Sequence, residues 1–264
     1  MNIDLSGKHA VVTGSTGGIG FAIAKGLAAS GASVVINGRA DARVKQAVET
    51  LKKQLPQARV EGVAADLATA DGANAFVKRV PQADILVNNL GIFEPKNFED
   101  IPDEDWLRFF ETNVMSGIRM SRAYIPGMKA KDWGRIVFIS SESGLNIPLE
   151  MIHYGMTKTA QIAVARGLAE SLAGTGVTVN SVLPGPTRSE GVIDFFGKMA
   201  KEQGVSHEQM EKDFIAQHRP TSIIRRLASV DEVANMVVYA CSKEASATTG
   251  AALRVEGGLL RHIG

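Results

Sequence analysis

The chain has one cysteine, Cys241, in 264 residues. A single thiol excludes an intrachain disulfide and any multi-cysteine metal site. Cys241 sits in the apolar run VANMVVYACS, so a small buried hydrophobe is its expected role. A surplus of charge is lacking too: 29 Lys and Arg face 28 Asp and Glu, a formal net charge of +1. That balance gives no whole-molecule attraction to nucleic acid or to an acidic membrane surface. No run approaches the roughly 18 apolar residues of a membrane span. The opening MNIDLSGKHAVV has no charged segment followed by a long apolar stretch, so it does not read as a secretory leader. Histidine is sparse and scattered, 5 in all, and HEQME (207–211) carries Glu211 where a zinc-binding helix would place its second His. What these absences leave is a cytoplasmic protein acting on a small molecule, with no metal, nucleic acid or membrane in its chemistry.

What is present is a regular alternation. Hydrophobic residues make up 45% and charged residues 22%, enough to build a large core. Short β-branched runs occupy 8–13, 32–37, 58–65, 83–89, 135–140, 177–183 and 251–255. Amphipathic stretches lie between them at 18–29, 41–55, 69–79, 103–129, 153–173 and 230–242. Strand and helix in this rhythm predict βαβ units, hence a parallel sheet of about seven strands with helices on both faces. Neither a repeat nor a linker interrupts it, so residues 1–264 read as one domain. Residues 185–228 are too long for a plain connection. They hold two helical patterns, EGVIDFFGKMAKEQ and SHEQMEKDFIAQH, with Phe195, Phe196, Met199 and Phe214 beside many charges. Ligands of α/β sheets bind beyond the carboxyl ends of the strands, so this insertion is expected to be a substrate lid, or else a packing or subunit contact.

The first strand runs into TGSTGGIG (13–20), with Gly14, Gly17, Gly18 and Gly20 between strand and helix. Glycine permits a positive φ and a close backbone approach, and the following helix directs free N–H groups at a pyrophosphate. The second strand ends in INGRAD, which offers Asn37 and Arg39 where an NAD site commonly has an acid. Arg binds phosphate in bidentate fashion, so NADP is expected over NAD. Asp41, the nearest acid, is expected to be the N-cap of the next helix. Further on, YGMTK (154–158) places a phenol and an ammonium on one helix face, with Cβ atoms roughly 6 Å apart. Such a pair suits general acid–base chemistry, although taken alone the motif reads first as a half-buried Tyr beside a solvated Lys.

With these motifs together, the chain resembles the short-chain dehydrogenase/reductase family, in its shorter single-domain, 3-oxoacyl reductase-like branch. The likeness runs through TGSTGGIG, AADL (64–67), NNLG (88–91), Asn113 in ETNV, Ser141 in FISSES, YGMTK, NSVLPGPT (180–187) and TGAALRVEGG (249–258). It implies a Rossmann-type doubly wound sheet and hydride transfer between a nicotinamide cofactor and a carbonyl or alcohol. Tyr154 would be the general acid in reduction, and Lys158 would lower its pKa and hold the nicotinamide ribose. Ser141 would hydrogen-bond the substrate oxygen, and Asn113 would hold a water on the proton path. Cofactor contacts would come from Gly14, Ser15, Thr16, Gly18, Ile19, Gly20, Asn37, Arg39, Asp66, Leu67, Asn89, Gly91, Pro184, Gly185 and Thr187, together with Tyr154 and Lys158. The long helices at 103–129 and 153–173 would build a homodimer face, often within a homotetramer.

Leu90 stands where the family usually has Ala, and Gly17 where many NADP users carry a basic residue. Glu142 and Glu150 follow the fifth strand; both are expected to face solvent or cap a helix, with contact to a polar substrate as the alternative. A cofactor-binding scaffold without turnover is the rival, opposed by the complete set of Asn113, Ser141, Tyr154 and Lys158. An epimerase or dehydratase would carry another glycine spacing and a longer C-terminal part. No residue chooses among an oxoacyl thioester, a sugar, a steroid-like ketone and a small xenobiotic carbonyl.

Overall fold

The β-branched runs become the strands of one sheet because each can bury both of its faces. In β1 (His9–Val12), Ala10 and Val12 pack toward α1 (Gly18–Ala29), while Val11 points to the opposite core. This period-two split recurs along β2 (Ser33–Gly38), β4 (Ile85–Asn88) and β5 (Gly134–Ile139), so the sheet separates two apolar layers. With β3 (Val60–Ala64), β6 (Val177–Pro184) and β9 (Ala252–Val255), seven parallel strands take the order β3-β2-β1-β4-β5-β6-β9. The computed structural model describes residues 2–263, with the side chains of Phe195, Lys198, Met199, Glu202 and Gln203 outside the description. One layer holds α1, α2 (Asp41–Gln54) and α9 (Val230–Ala240); the other holds α3 (Ala70–Arg79), α5 (Ser116–Ala130) and α6 (Ile152–Ser171). Cys241 is buried in the first layer, as expected.

The chain runs outward from β1 to β3 and then returns to β4 on the other side of β1. Their carboxyl ends therefore diverge into a crevice, the usual ligand position in a doubly wound sheet. The turn after β1 and the segment after β4 meet there. Thr13 donates its N–H to Val87 O, and Asn89 Nδ2 donates to Thr13 O and Gly14 O at 3.0 and 2.9 Å.

The predicted helix at 103–129 is present, α4 (Asp103–Phe110) running on into α5 through a π-helical turn over Glu111–Met115. One local expectation is corrected: Asp41 does not cap α2; it is the first helical residue, and its carboxylate pairs with Lys45 one turn on, at 2.7 Å. Glu211 is buried and bound by Arg188, which ties α8 (His207–His218) to the short strand β7 (Thr187–Arg188). That strand pairs with β8 (Ala228–Ser229). Helix α7 (Glu190–Gln203) and α8 share a small apolar core of Phe196, Ala200, Met210, Ile215 and Leu227. Phe195 and Met199 belong to the same insertion but lie outside the described side chains.

Candidate active site

The glycine turn is built for close contact. Gly14 and Gly18 have φ of +59° and +55°, and a Cβ at Gly20 would lie 2.5 Å from Asn89 Nδ2 and 2.6 Å from Gly14 O. Ser15 is fully buried beneath the turn, donating Oγ–H to Val12 O at 2.6 Å. Helix α1 starts without a side-chain cap, which leaves its first N–H groups for an anion. Thr16 packs beside Gly38 at the end of β2, and Arg39 follows it, exposed and without a hydrogen bond or ion pair. A narrow glycine cradle and an uncapped helix together fit the pyrophosphate of a nicotinamide dinucleotide.

Asn37 corrects an expectation. It is 1% exposed and spends its side chain on Gly14 N–H, Val63 O and Ala65 O. It therefore holds the turn to β3 from beneath and has no surface for a ligand. Leu67 likewise is a core residue, 1% exposed, so of the adenine-side pair only half-buried Asp66 is accessible. A Cβ at Gly17 would approach Glu190 Oε2 at 2.7 Å, the exposed tip of a side chain at the start of α7. Glu190 in turn lies 3.9 Å from Arg43, a second surface cation one helical turn beyond Arg39.

Beyond the turn, at the same strand ends, lies a cavity of about 480 Å³. Ile19, Asn89, Gly91, Pro184, Gly185 and Thr187 line its cofactor side. Ser141, Tyr154 and Lys158 line its floor, and Val192, Phe196 and Phe214 of the two insertion helices form its roof. Ser141 lies two residues beyond β5, caps the short turn Glu142–Gly144 and accepts Ser143 N–H at 3.1 Å. Tyr154 and Lys158 share one face of α6, with the ammonium 5.4 Å from the ring centroid. Lys158 Nζ donates to Ile139 O at 2.9 Å and to Gln161 Oε1 at 3.1 Å.

Burial controls both ionisable groups. It pushes the Tyr154 phenol up to about 12, with the Ser141 hydroxyl and the Arg219 charge pulling the other way. It pushes the Lys158 ammonium down to about 7. Both shifts have desolvation as their largest cause.

Asn113 sits fully buried in the π-turn. Its side chain bridges Ile92 N–H and C=O at 2.8 and 3.0 Å and donates to Thr157 Oγ1 at 3.0 Å. The widened turn leaves its backbone carbonyl to accept Gln161 Nε2 at 2.7 Å. Gln161 therefore connects Lys158 to Asn113, a link the sequence reading missed. Its only signal was a lone amide three residues after Lys158, among alanines. His153 is buried between Trp106 and Phe109 and packs against both rings.

The far wall holds the largest surprise. Glu142 is 3% exposed and neither faces solvent nor caps a helix; its Oε1 accepts Arg219 Nε at 3.2 Å. Glu150 Oε1 lies 3.5 Å from Arg219 Nη1. Arg219, just after α8, was not anticipated, being 77 residues from Glu142 with no motif to mark it.

Comparison with known proteins agrees with this geometry. The short chain dehydrogenase family model matches residues 8–199. The chain is 47% identical over 263 residues to the uncharacterized oxidoreductase YvaG of Bacillus subtilis, covering 100% of both. It is 34% identical to a D-beta-hydroxybutyrate dehydrogenase of Cupriavidus necator, over 96% of this chain and 98% of the relative. The solved L-sorbose reductase of Gluconobacter frateurii, complexed with NADPH and L-sorbose, superposes with a TM-score of 0.94 at 34% identity, over 100% of both chains.

Proposed function

Given that the chain belongs to the short-chain dehydrogenase family and is an oxidoreductase, we propose that it is an NADP-preferring carbonyl reductase with Tyr154 as its general acid. One observation carries the reading: Ser141, Tyr154 and Lys158 open onto the same cavity as the cofactor-side residues Ile19, Asn89 and Thr187. The glycine turn, Asn89 and Thr187 would hold the cofactor, which would supply the hydride for the carbonyl carbon, and a proton from the protein would complete the alcohol at oxygen.

The protein's part is to position the carbonyl and deliver that proton. Ser141 Oγ–H and the Tyr154 phenol are two donors for the oxyanion that develops. The Tyr154 phenol is protonated at neutral pH, as the acid in a reduction must be. Lys158, near 7, titrates in the working range, and Gln161 holds it in position against the Asn113 turn. Arg39 supports NADP over NAD, as do structural neighbours solved with NADPH. The insertion 185–228 serves as the lid, since α7 and α8 roof the cavity. Exposed Leu107 and Phe110 on α4 suit a homodimer or homotetramer contact in a cytoplasmic enzyme.

The relatives' named substrates range from a hydroxy acid to a ketose, so family membership leaves the substrate open. Tyr154→Phe tests the mechanism. NADPH binding, followed by nicotinamide fluorescence, should stay within about twofold, while kcat should fall at least about 100-fold, the scale of a lost general acid. Near-normal turnover would sink the assignment.

A further inference from the structure

The cavity wall is mainly apolar, yet its far side carries Glu142, Glu150 and Arg219. Glu142 and Arg219 are 3% and 9% exposed. A buried ion pair is a poor stability device, because apolar residues of similar size usually serve as well or better. This pair is also incompletely satisfied. Glu142 Oε1 takes the Arg219 Nε hydrogen bond, while Oε2 is buried with no partner. Arg219 Nη1 is spent on His218 O at 2.8 Å and lies 3.5 Å from Glu150, whereas Nη2 makes no hydrogen bond among the described residues. An unmet acceptor on Glu142, the residue that directly follows Ser141, and an unmet donor on Arg219 therefore stand together.

We propose that Glu142 and Arg219 select a neutral ketone bearing a hydroxyl close to its carbonyl; this rests on the carbonyl reductase reading. The chemistry of the alternatives is discriminating. A hydroxyl both donates and accepts, so it can meet Glu142 and Arg219 at once. A carboxylate only accepts, and it would face two carboxylates sharing one guanidinium, a net negative wall. An ammonium only donates and would face Arg219. A plain alkyl ketone leaves both groups unmet, the situation against which polar sites discriminate most strongly. The position fits as well. Glu142 and Arg219 both act electrostatically on Tyr154, in opposite senses, so their charges lie within reach of the reacting oxygen. Neither exchanges a proton or electrons with the substrate; they are specificity residues. Because Arg219 closes the insertion and Glu142 follows β5, the site is complete only when the roof is seated.

The test uses three four-carbon ketones of similar size: neutral hydroxybutanone, anionic acetoacetate and unsubstituted butanone. Initial rates of NADPH oxidation are compared for wild type and for Glu142→Gln, with NADPH fluorescence verifying that the variant is folded. Wild type should favour hydroxybutanone in kcat/KM by about 10-fold or more over both others, the order expected for a hydrogen bond to a charged group. In Glu142→Gln that advantage should shrink to about threefold, through KM, with butanone changed less than about twofold and acetoacetate improved. Equal wild-type rates on the three ketones, a preference for acetoacetate, or equal losses on butanone and hydroxybutanone in the variant would overturn the proposal alone. No NADPH oxidation with any of the three would overturn the reductase reading together with it.

Discussion

Replacing Lys158 by Met should make the stability of the protein less dependent on pH. Burial lowers the lysine from its usual 10.5 to about 7. Between those values the unfolded chain binds the proton and the folded chain does not, so stability rises with pH. Below pH 7 the folded state must hold a buried ammonium. Each pH unit is worth about 1.4 kcal/mol, so the penalty there approaches about 5 kcal/mol. At pH 9 it has fallen to about 2 kcal/mol. Wild type should therefore gain roughly 2–3 kcal/mol relative to Lys158→Met between pH 6 and pH 9.

The substitution also strips Ile139 O and Gln161 Oε1 of a donor. That loss costs about 1–3 kcal/mol per acceptor but does not vary with pH, so the informative quantity is the slope of the difference. Other titrating groups are common to both proteins and cancel. Urea melts at pH 6, 7.5 and 9 would show the two midpoints moving relative to each other by roughly 1 M, taking a slope near 3 kcal/mol/M. A difference constant to within about 0.5 kcal/mol across that range would refute the claim that burial discharges Lys158 near neutrality.

Two further outcomes are expected. Arg39→Ala should weaken NADPH by about 10- to 100-fold, the worth of a charge-assisted bidentate contact, while NADH changes less than about twofold; equal weakening in parallel titrations would show that Arg39 does not read the 2′-phosphate. Gly20→Ala places a Cβ 2.5 Å from Asn89 Nδ2 and 2.6 Å from Gly14 O, so the turn must open. Cofactor affinity should drop at least about 10-fold and thermal stability should fall by the 1–3 kcal/mol typical of overpacking; retained affinity would mean that the turn does not form the cradle.

The sequence by itself determined the sheet, because all seven β-branched runs became strands and the central strands of a parallel sheet need both faces apolar. It also placed the glycine turn and the Tyr154–Lys158 pair, since each rests on local geometry, a positive φ and one helical turn, while Ser141 came from the family resemblance. What depends on neighbours distant in the chain was not legible. The π-turn at Asn113 is a departure from helical pattern stabilised by Gln161 from another helix. Asn37 looks like a ligand group until β3 is laid beside it and takes both of its amide hydrogens. The pKa values of Tyr154 and Lys158 follow desolvation, which spacing alone cannot express, and it reversed the expected direction for the phenol. Glu142 and Arg219 became a pair only when the insertion folded back over β5. Local periodicity and backbone sterics are written residue by residue; burial and charge pairing belong to the packed whole, and in this protein they decide what the cavity admits.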